Sequence, residues 1–374
     1  MSGDALRIGM FVSNYLPHPG GLEVMVWNLA RGLARRHHVV LVTSAYDGKS
    51  GVSDEDGMTV HRLPAVHVTE RLSVPYPVPT GRGLRTALRA AAGVDVIHAH
   101  GALYAQTLLA RRIARRAGVP LVLTEHVGFV SYESGALNAV QRAAWRAIGD
   151  PVVTGADAVV ALSARVHGWL AARNRPDVRF VGNGVDLKAF RTRDADRRAV
   201  RRSFGLPESD TLVLWAGRDA AKKNLDLALG IPRDRFTLVL CGWKRDLTGD
   251  RLVDLGNVPH ERMTELYGCV DVLLHTATGE GFPLAVQESV ASGVPVVLLW
   301  DEGYARWMCR DLVAACDAPA DVAPTLEALL RDETRRARMA VAGRAWAEEH
   351  WSWEATVAAY EEIYRDVIAR DRTR

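Results

Sequence analysis

Apolar runs of six to eight residues, rich in β-branched side chains, recur along the chain and alternate with longer stretches of helical period. In the first half the runs are "RIGMFVS" (7–13), "HVVLVTS" (38–44), "DVIHAH" (95–100), "PLVLTEH" (120–126) and "AVVALS" (158–163). They are nearly continuous rather than alternating, as expected of strands covered on both faces. Between the first two, residues 22–36 place Leu22, Met25, Val26, Leu29 and Leu33 on one helical stripe. Strand, helix, strand in that order predicts parallel pairing, because parallel strands need a crossover between them.

The pattern then restarts. "DTLVLWAG" (210–217), "FTLVLCG" (236–242), "VDVLLH" (270–275) and "GVPVVLL" (293–299) alternate with helices expected over 260–268 and 283–292. The turn-rich "VGNGVDLKAF" (181–190) marks the junction. A chain of 374 residues also exceeds what one ordinary core supports. The fold class is therefore α/β, with two Rossmann-like, doubly wound domains expected to face a central cleft. Their expected bounds are 1–186 and 187–352. In such sheets ligands bind beyond the carboxyl ends of the strands, so those loops hold the candidate chemistry.

Composition changes this picture little. Apolar residues make up 48% and charged residues 24%, which is ordinary globular material. No apolar run approaches ~18 residues, so no transmembrane helix is expected. The N-terminal "MSGDALRIGMFVSNYLP" runs straight into a strand without signal-peptide character, and a cytoplasmic location is expected. Cys241, Cys269, Cys309 and Cys316 lack metal-ligand spacing and are expected reduced and mostly buried.

The net charge of +3 is unevenly spread. Residues 1–190 carry 21 basic against 14 acidic side chains, or +7, and the remainder 26 against 30, or −4. Arg82, Arg85 and Arg89, and separately Arg142 and Arg146, fall on helical faces. Leu137, Val140, Trp145 and Ile148 in the second segment either pack inward or meet lipid headgroups. Peripheral contact with the inner membrane face is one expectation. A solvated surface and a soluble acceptor are the other, which so modest a charge favours.

Several strand ends carry suggestive residues. After the first strand, Gly20-Gly21 precedes a helix near Leu22; backbone without Cβ can approach an anion there, or simply turn. Arg218 follows "TLVLWAG" directly, and Lys223 lies five residues on. Two such cations can grip two sides of a diphosphate. Lys222 competes for that role, and all could be solvated. In "GEGFPLAVQES" (279–289), Phe282-Pro283 suits a helix start with Pro283 in its first turn. The backbone N–H groups of Gly281, Phe282 and Leu284 can then face an anion, aided by the helix dipole. Glu280 lies just outside this helix and Glu288 about two turns within it. A carboxylate accepts two hydroxyl hydrogen bonds, so one can hold a ribose and the other a hexose. Taken singly, each also reads as a capping or solvated acid.

These motifs resemble the retaining glycosyltransferases of the GT-B fold, family four (glycosyl transferases group 1). "PGG", "HAHG" (98–101), "TEH" (124–126), "NGVD" (183–186), "GR…K" (217–223) and "EGFPLAVQE" (280–288) follow the family's order over nearly the whole chain. The most specific is Glu-x7-Glu. The resemblance implies a metal-independent hexosyltransferase that uses a nucleotide diphosphate sugar as donor substrate, without a resident cofactor. Its acceptor would be a glycan, a lipid-linked or a small molecule, and no nucleic-acid partner is expected. It further implies that Arg218 and Lys223 neutralise the diphosphate, Glu280 contacts the donor sugar and Glu288 the ribose. The Gly20-Gly21 loop approaches the phosphates, and His126 sits beside the reacting sugar. The C-terminal segment 353–374 would be a helix returning across the first domain. Asn224 replaces a glycine common after the lysine. "VLCGW" keeps one glycine of a usual pair, so base contacts fall to Gly242 or to Val258 in "LGNV" (255–258).

His98 and His100 are expected on opposite strand faces, and so form a poor chelate. Asp54-Glu55-Asp56, in a Ser/Gly-rich loop, and Asp194-Ala195-Asp196, among arginines, end no buried strand and are read as solvated rather than as a cation site. A nucleotide-sugar epimerase on the same fold and a non-catalytic nucleotide-sugar-binding protein are the alternatives. A phosphorylase would need a longer chain. A dehydrogenase lacks its G-x-G-x-x-G.

Overall fold

The computed structural model describes all residues except 1–3, 19, 47, 68–75, 130–133, 191–195, 218–219, 243–246, 281–282 and 374, and except the side chains of His67 and Ala221. Arg218, Gly281, Phe282, Asp194 and Ala195 thus lie outside the described residues. The chain divides into Met1–Gly184 with Trp353–Arg374, and Val185–Ser352.

The first unit contains β1 (Arg7–Phe11), β2 (His38–Ser44), β3 (Gly51–Glu55), β4 (Met58–Leu63), β5 (Ala65–His67), β6 (Pro77–Pro79), β7 (Val96–His100), β8 (Leu121–Glu125), β9 (Ala158–Ala161) and β10 (Arg179–Phe180). Eight of them form one sheet in the order β10-β9-β8-β7-β1-β2-β4-β3, parallel except for the β3–β4 hairpin. Among its helices are α1 (Gly21–Ala34), α2 (Gly81–Ala90), α3 (Ala105–Ala117) and α4 (Gly135–Ala144).

Strand alternation feeds two cores, one on each face. Ile8 and Met10 of β1 pack with Met25, Val26, Leu29 and Leu33 of α1, whereas Phe11 packs with Ile97, Leu121 and Leu123 on the other side. The C-terminal helix, Trp353–Asp371, belongs to this unit and adds Val357, Tyr360, Ile363 and Tyr364 to the α1 side. Glu361 ties it down, lying 3.0 Å from both His37 Nε2 and Arg36.

The second unit holds β11 (Leu212–Ala216), β12 (Thr237–Cys241), β13 (Leu252–Asp254), β14 (Val272–His275), β15 (Val296–Leu299) and β16 (Ala314–Cys316). They form a parallel sheet ordered β13-β12-β11-β14-β15-β16. Leu212 and Leu214 face one core, Val213 and Trp215 the other. The helices flanking the candidate chemistry are His260–Cys269 and Leu284–Ala291, here α5 and α6.

Several expectations need correction. Asp54 and Glu55 lie in β3, an edge strand, not a loop; Glu55 pairs with Arg62 at 2.6 Å and Asp56 accepts from Trp27 Nε1 at 2.7 Å. Pro283 caps α6 rather than opening its first turn, and its carbonyl accepts from Val286 N–H. Trp145 is buried, while Leu137 and Val140 are 53% and 66% exposed. The cysteines, by contrast, are mostly buried as expected, Cys309 being exposed and the other three buried. Among the described residues, no helix is long and apolar enough to cross a membrane.

Candidate functional site

In the second unit the strand ends gather much of the predicted chemistry. Gly217, at the end of β11, donates its N–H to the Cys241 carbonyl at 2.9 Å. Gly242, at the end of β12, donates to Gly256 at 2.7 Å. Its φ of +88° and the 2.7 Å from a built Cβ to the Gly217 carbonyl oxygen make glycine the fitting residue there. The two stretches proposed for base contacts, Gly242 and 255–258 with Val258, therefore adjoin one another.

Beyond β11 the chain makes a tight turn, Ala221–Lys223, followed by Asn224 at φ +52°, ψ +49°. That left-handed conformation explains why asparagine can stand where relatives of the resembled family carry glycine: it is the side chain that best tolerates it. The turn is fastened to the end of β14. Thr276 Oγ1 lies 2.9 Å from the Lys223 carbonyl oxygen and 3.0 Å from that of Asn224, and accepts from Trp215 Nε1 at 2.9 Å. Thr278 N–H donates to the Lys222 carbonyl at 3.0 Å.

This fastening aims both lysines at Glu280. Lys223 Nζ is 2.8 Å from Oε1 and 2.9 Å from Oε2, and Lys222 Nζ is 3.4 Å from Oε1. His275 Nε2, from the last residue of β14, lies 3.3 Å from Oε2. Neither lysine is merely solvated, and Lys223 is the closer and more enclosed, at 15% side-chain exposure against 39%. Burial raises the Glu280 carboxyl, but the His275 ring and the two ammonium groups outweigh it and hold the acid well below the usual carboxylate range. Burial lowers His275, partly offset by Glu280.

Glu288 sits in α6, nearly buried, and His260 Nε2 lies 2.9 Å from its Oε1. The buried Tyr267 hydroxyl is held well above its usual range by burial and then by Glu288. The first-turn N–H groups of α6, beginning with Leu284, have no acceptor within their own helix, as at any helix start. His275, Thr276, Trp215 and His260 escaped the sequence reading. The signal for His275 was its place as the last residue of "VDVLLH", directly before the glutamate loop.

The first unit brings a second cluster together at the ends of β7 and β8. His98 and His100 face the same way, with ring centroids 4.2 Å apart. Residues two apart in a strand share a face, so the expectation of opposite faces is corrected. His98 bonds Thr124 Oγ1 through Nε2 and the Tyr364 hydroxyl through Nδ1, both at 2.8 Å. His100 Nδ1 meets His126 Nε2 at 3.1 Å. Buried Glu125 accepts the N–H groups of Ala102 at 2.8 Å and of His126, Val127 and Gly128 at 3.1, 3.3 and 3.4 Å. Burial raises this carboxyl, and those four bonds pull it back.

The Gly20-Gly21 turn does open α1, with Gly20 as its cap. A carboxylate lies in its first turn. Glu23, buried and 2.7 Å from His18 Nδ1, leaves its carboxylate 2.2 Å from where a Gly20 Cβ would stand.

Residues 19–189 match the model for Glycosyltransferase Family 4, and residues 196–346 that for Glycosyl transferases group 1. A GDP-mannose-dependent alpha-mannosyltransferase of Mycolicibacterium smegmatis is 31% identical over 83% of each chain. A D-inositol 3-phosphate glycosyltransferase of Frankia alni is 31% identical over 94% of this chain and 95% of its own. In fold, the chain is similar to sucrose-phosphate synthase from Thermosynechococcus elongatus, with TM-score 0.78, 19% identity and coverage of 98% and 100%. It is likewise similar to Anabaena HepE solved with UDP-glucose, with TM-score 0.75, 16% identity and coverage of 96% and 100%. Two mainly parallel, doubly wound sheets, the glutamate motif with its lysines and matches across both halves place this chain in glycosyltransferase family 4, group 1, of the GT-B fold.

Proposed function

We propose that this glycosyltransferase moves a hexosyl group from a nucleotide diphosphate sugar to an acceptor hydroxyl, with retention of configuration and without a metal. The observation that carries the reading is the convergence of Lys223, Lys222 and His275 on Glu280, just ahead of the start of α6. An ammonium has three donors, so Lys223 can hold Glu280 and a phosphate oxygen together. Arg218 and the backbone N–H groups of Gly281, Phe282 and Leu284 would complete the grip.

In the transfer the bond from the anomeric carbon to the diphosphate oxygen breaks while the acceptor oxygen bonds to that carbon from the same face. The acceptor proton passes to the departing phosphate. Charge builds on the leaving group, so cations fixed beforehand supply the main stabilisation. Glu280 would orient the donor sugar, and its low protonation range keeps it anionic beside a carbon turning oxocarbenium-like. Glu288 would hold the ribose through the oxygen that His260 does not engage. Gly242 and Val258 would border the base, and His126 the transferred sugar. The Gly20-Gly21 turn would approach the phosphates with its backbone, beside Glu23.

The relatives named above suggest the first substrates to try. GDP-mannose and UDP-glucose, each with D-inositol 3-phosphate, are incubated with the chain in excess EDTA, and the product is followed by NMR. Release of nucleoside diphosphate with a glycoside of unchanged anomeric configuration is expected. Inverted product, or turnover only after a divalent ion is restored, overturns the corresponding half of the proposal. Interconversion of nucleotide sugars without acceptor would mark an epimerase. Binding without turnover across a wider acceptor panel would mark a binding protein.

A further inference from the structure

We infer that His100 is a positioning residue: its hydrogen bond to His126 fixes the tautomer in which His126 carries its proton on Nδ1 and offers that N–H to a ligand. The inference rests on the reading of His126 as a sugar contact only for its catalytic consequence.

The geometry leaves few choices. His100 is completely buried at the end of β7, and its Nδ1 lies 3.1 Å from His126 Nε2. A single proton lies between those two nitrogens, so one ring donates and the other accepts. His98 covers one face of His100, and is itself fixed at both nitrogens by Tyr364 and Thr124, the latter 3.0 Å from the Tyr360 hydroxyl. Burial holds all three histidines below their usual range, so they are neutral at pH 7.

The remaining nitrogen of His100 decides the direction. Its Nε2 is buried and has no partner among the described residues. Were His126 the donor, His100 would carry its proton on that Nε2 and strand an N–H in the interior. Were His100 the donor, Nε2 would be a bare lone pair. Among backbone groups, orphaned buried N–H donors are rarer than under-satisfied acceptors; the same ordering applied to the imidazole makes His100 Nδ1–H the donor. His126 Nε2 is then the acceptor, and its proton sits on Nδ1. The carboxylate of Glu125 holds the backbone N–H of His126 at 3.1 Å, fixing where the ring starts. His126 itself is half-buried, so a ligand can reach it.

The test is long-range proton–nitrogen NMR of the intact chain labelled with 15N-histidine. In the wild type His126 is expected as the Nδ1–H tautomer. In His100→Leu it is expected to move toward Nε2–H or a mixture, and in His100→Asn, whose side-chain amide sits near the lost Nδ1, to return. Turnover should fall roughly tenfold in His100→Leu, about what one hydrogen bond is worth, and recover in His100→Asn. Added to His126→Ala, His100→Leu should change turnover no further, whereas a packing role would lower both backgrounds alike. His100→Gln replaces the leucine variant if the latter does not fold. An Nε2–H tautomer in the wild type, or one unmoved by His100→Leu, overturns the inference. A tautomer that shifts without any change in turnover upholds the coupling and overturns the sugar contact of His126 instead.

Discussion

Replacing Lys223 by alanine removes the closest cation from a carboxylate whose side chain is only 11% exposed. Breaking a buried ion pair by deleting one partner costs about 3–5 kcal/mol when the survivor is left alone. Glu280 is not left alone, because Lys222 at 3.4 Å and His275 at 3.3 Å remain. The stability loss should therefore be smaller, about 1–3 kcal/mol. Turnover should suffer more, by roughly the 10²–10³-fold of a lost oxyanion donor, because Lys223 is the lysine assigned to the diphosphate. Guanidinium unfolding reads the first quantity and kcat the second. Adding Glu280→Gln separates them: removing both charges should restore much of the stability while activity stays lost. Recovery of activity along with stability would refute the division between structural and catalytic roles. So would an inactive Lys222→Ala beside a normal Lys223→Ala.

Arg218→Ala should lower kcat by a similar factor and combine with Lys223→Ala less than multiplicatively, since both are assigned to one diphosphate; full multiplicativity in a kinetic cycle contradicts this. Glu288→Ala should mainly raise donor KM, and Glu280→Ala mainly lower kcat; KM-only effects from both would erase the distinction. Gly242→Ala must push against the Gly217 carbonyl and should cost about 1–3 kcal/mol of stability and raise donor KM; unchanged unfolding and KM would contradict it. For pH, burial pushes His98 down to about 3, His126 to about 4 and His100 well below its usual range. The unfolded chain takes up these protons below about pH 6.5 and the folded chain does not. Stability is therefore full above that pH and falls as pH drops from 6.5 toward 4. A Tm that rises from pH 7 to pH 5 would contradict the sign.

The fully covered strands were legible because burial on both faces leaves an apolar run with no polar gaps, as in "HVVLVTS", whose bounds match β2. Edge strands carry no such mark. β3 reads "GVSDE", and its partner β4 mixes Thr59, His61 and Arg62 among apolar residues. β13 and β16 span three residues each, too short for any period. At the site, the glutamate motif gave the place, but the contacts depend on how loops fold back. That Thr276 fastens the Lys222–Lys223 turn, and so brings both lysines to Glu280, follows from tertiary hydrogen bonds no spacing encodes. The histidine pair was different. An i, i+2 spacing in a strand does encode a shared face, and the close, tilted rings of His98 and His100 follow from it.

Nucleotide diphosphate binding at the Lys223–Glu280 end of the second unit is the central expectation. Thermal unfolding of the intact chain in EDTA, with GDP, UDP and their sugars titrated in, tests it. At a hundred times Kd, one of these ligands should stabilise the wild type by about 2.7 kcal/mol, while Lys223→Ala at the same concentration shows little or no shift. No stabilisation of the wild type by any of them, or an equal shift in both proteins, would contradict the account.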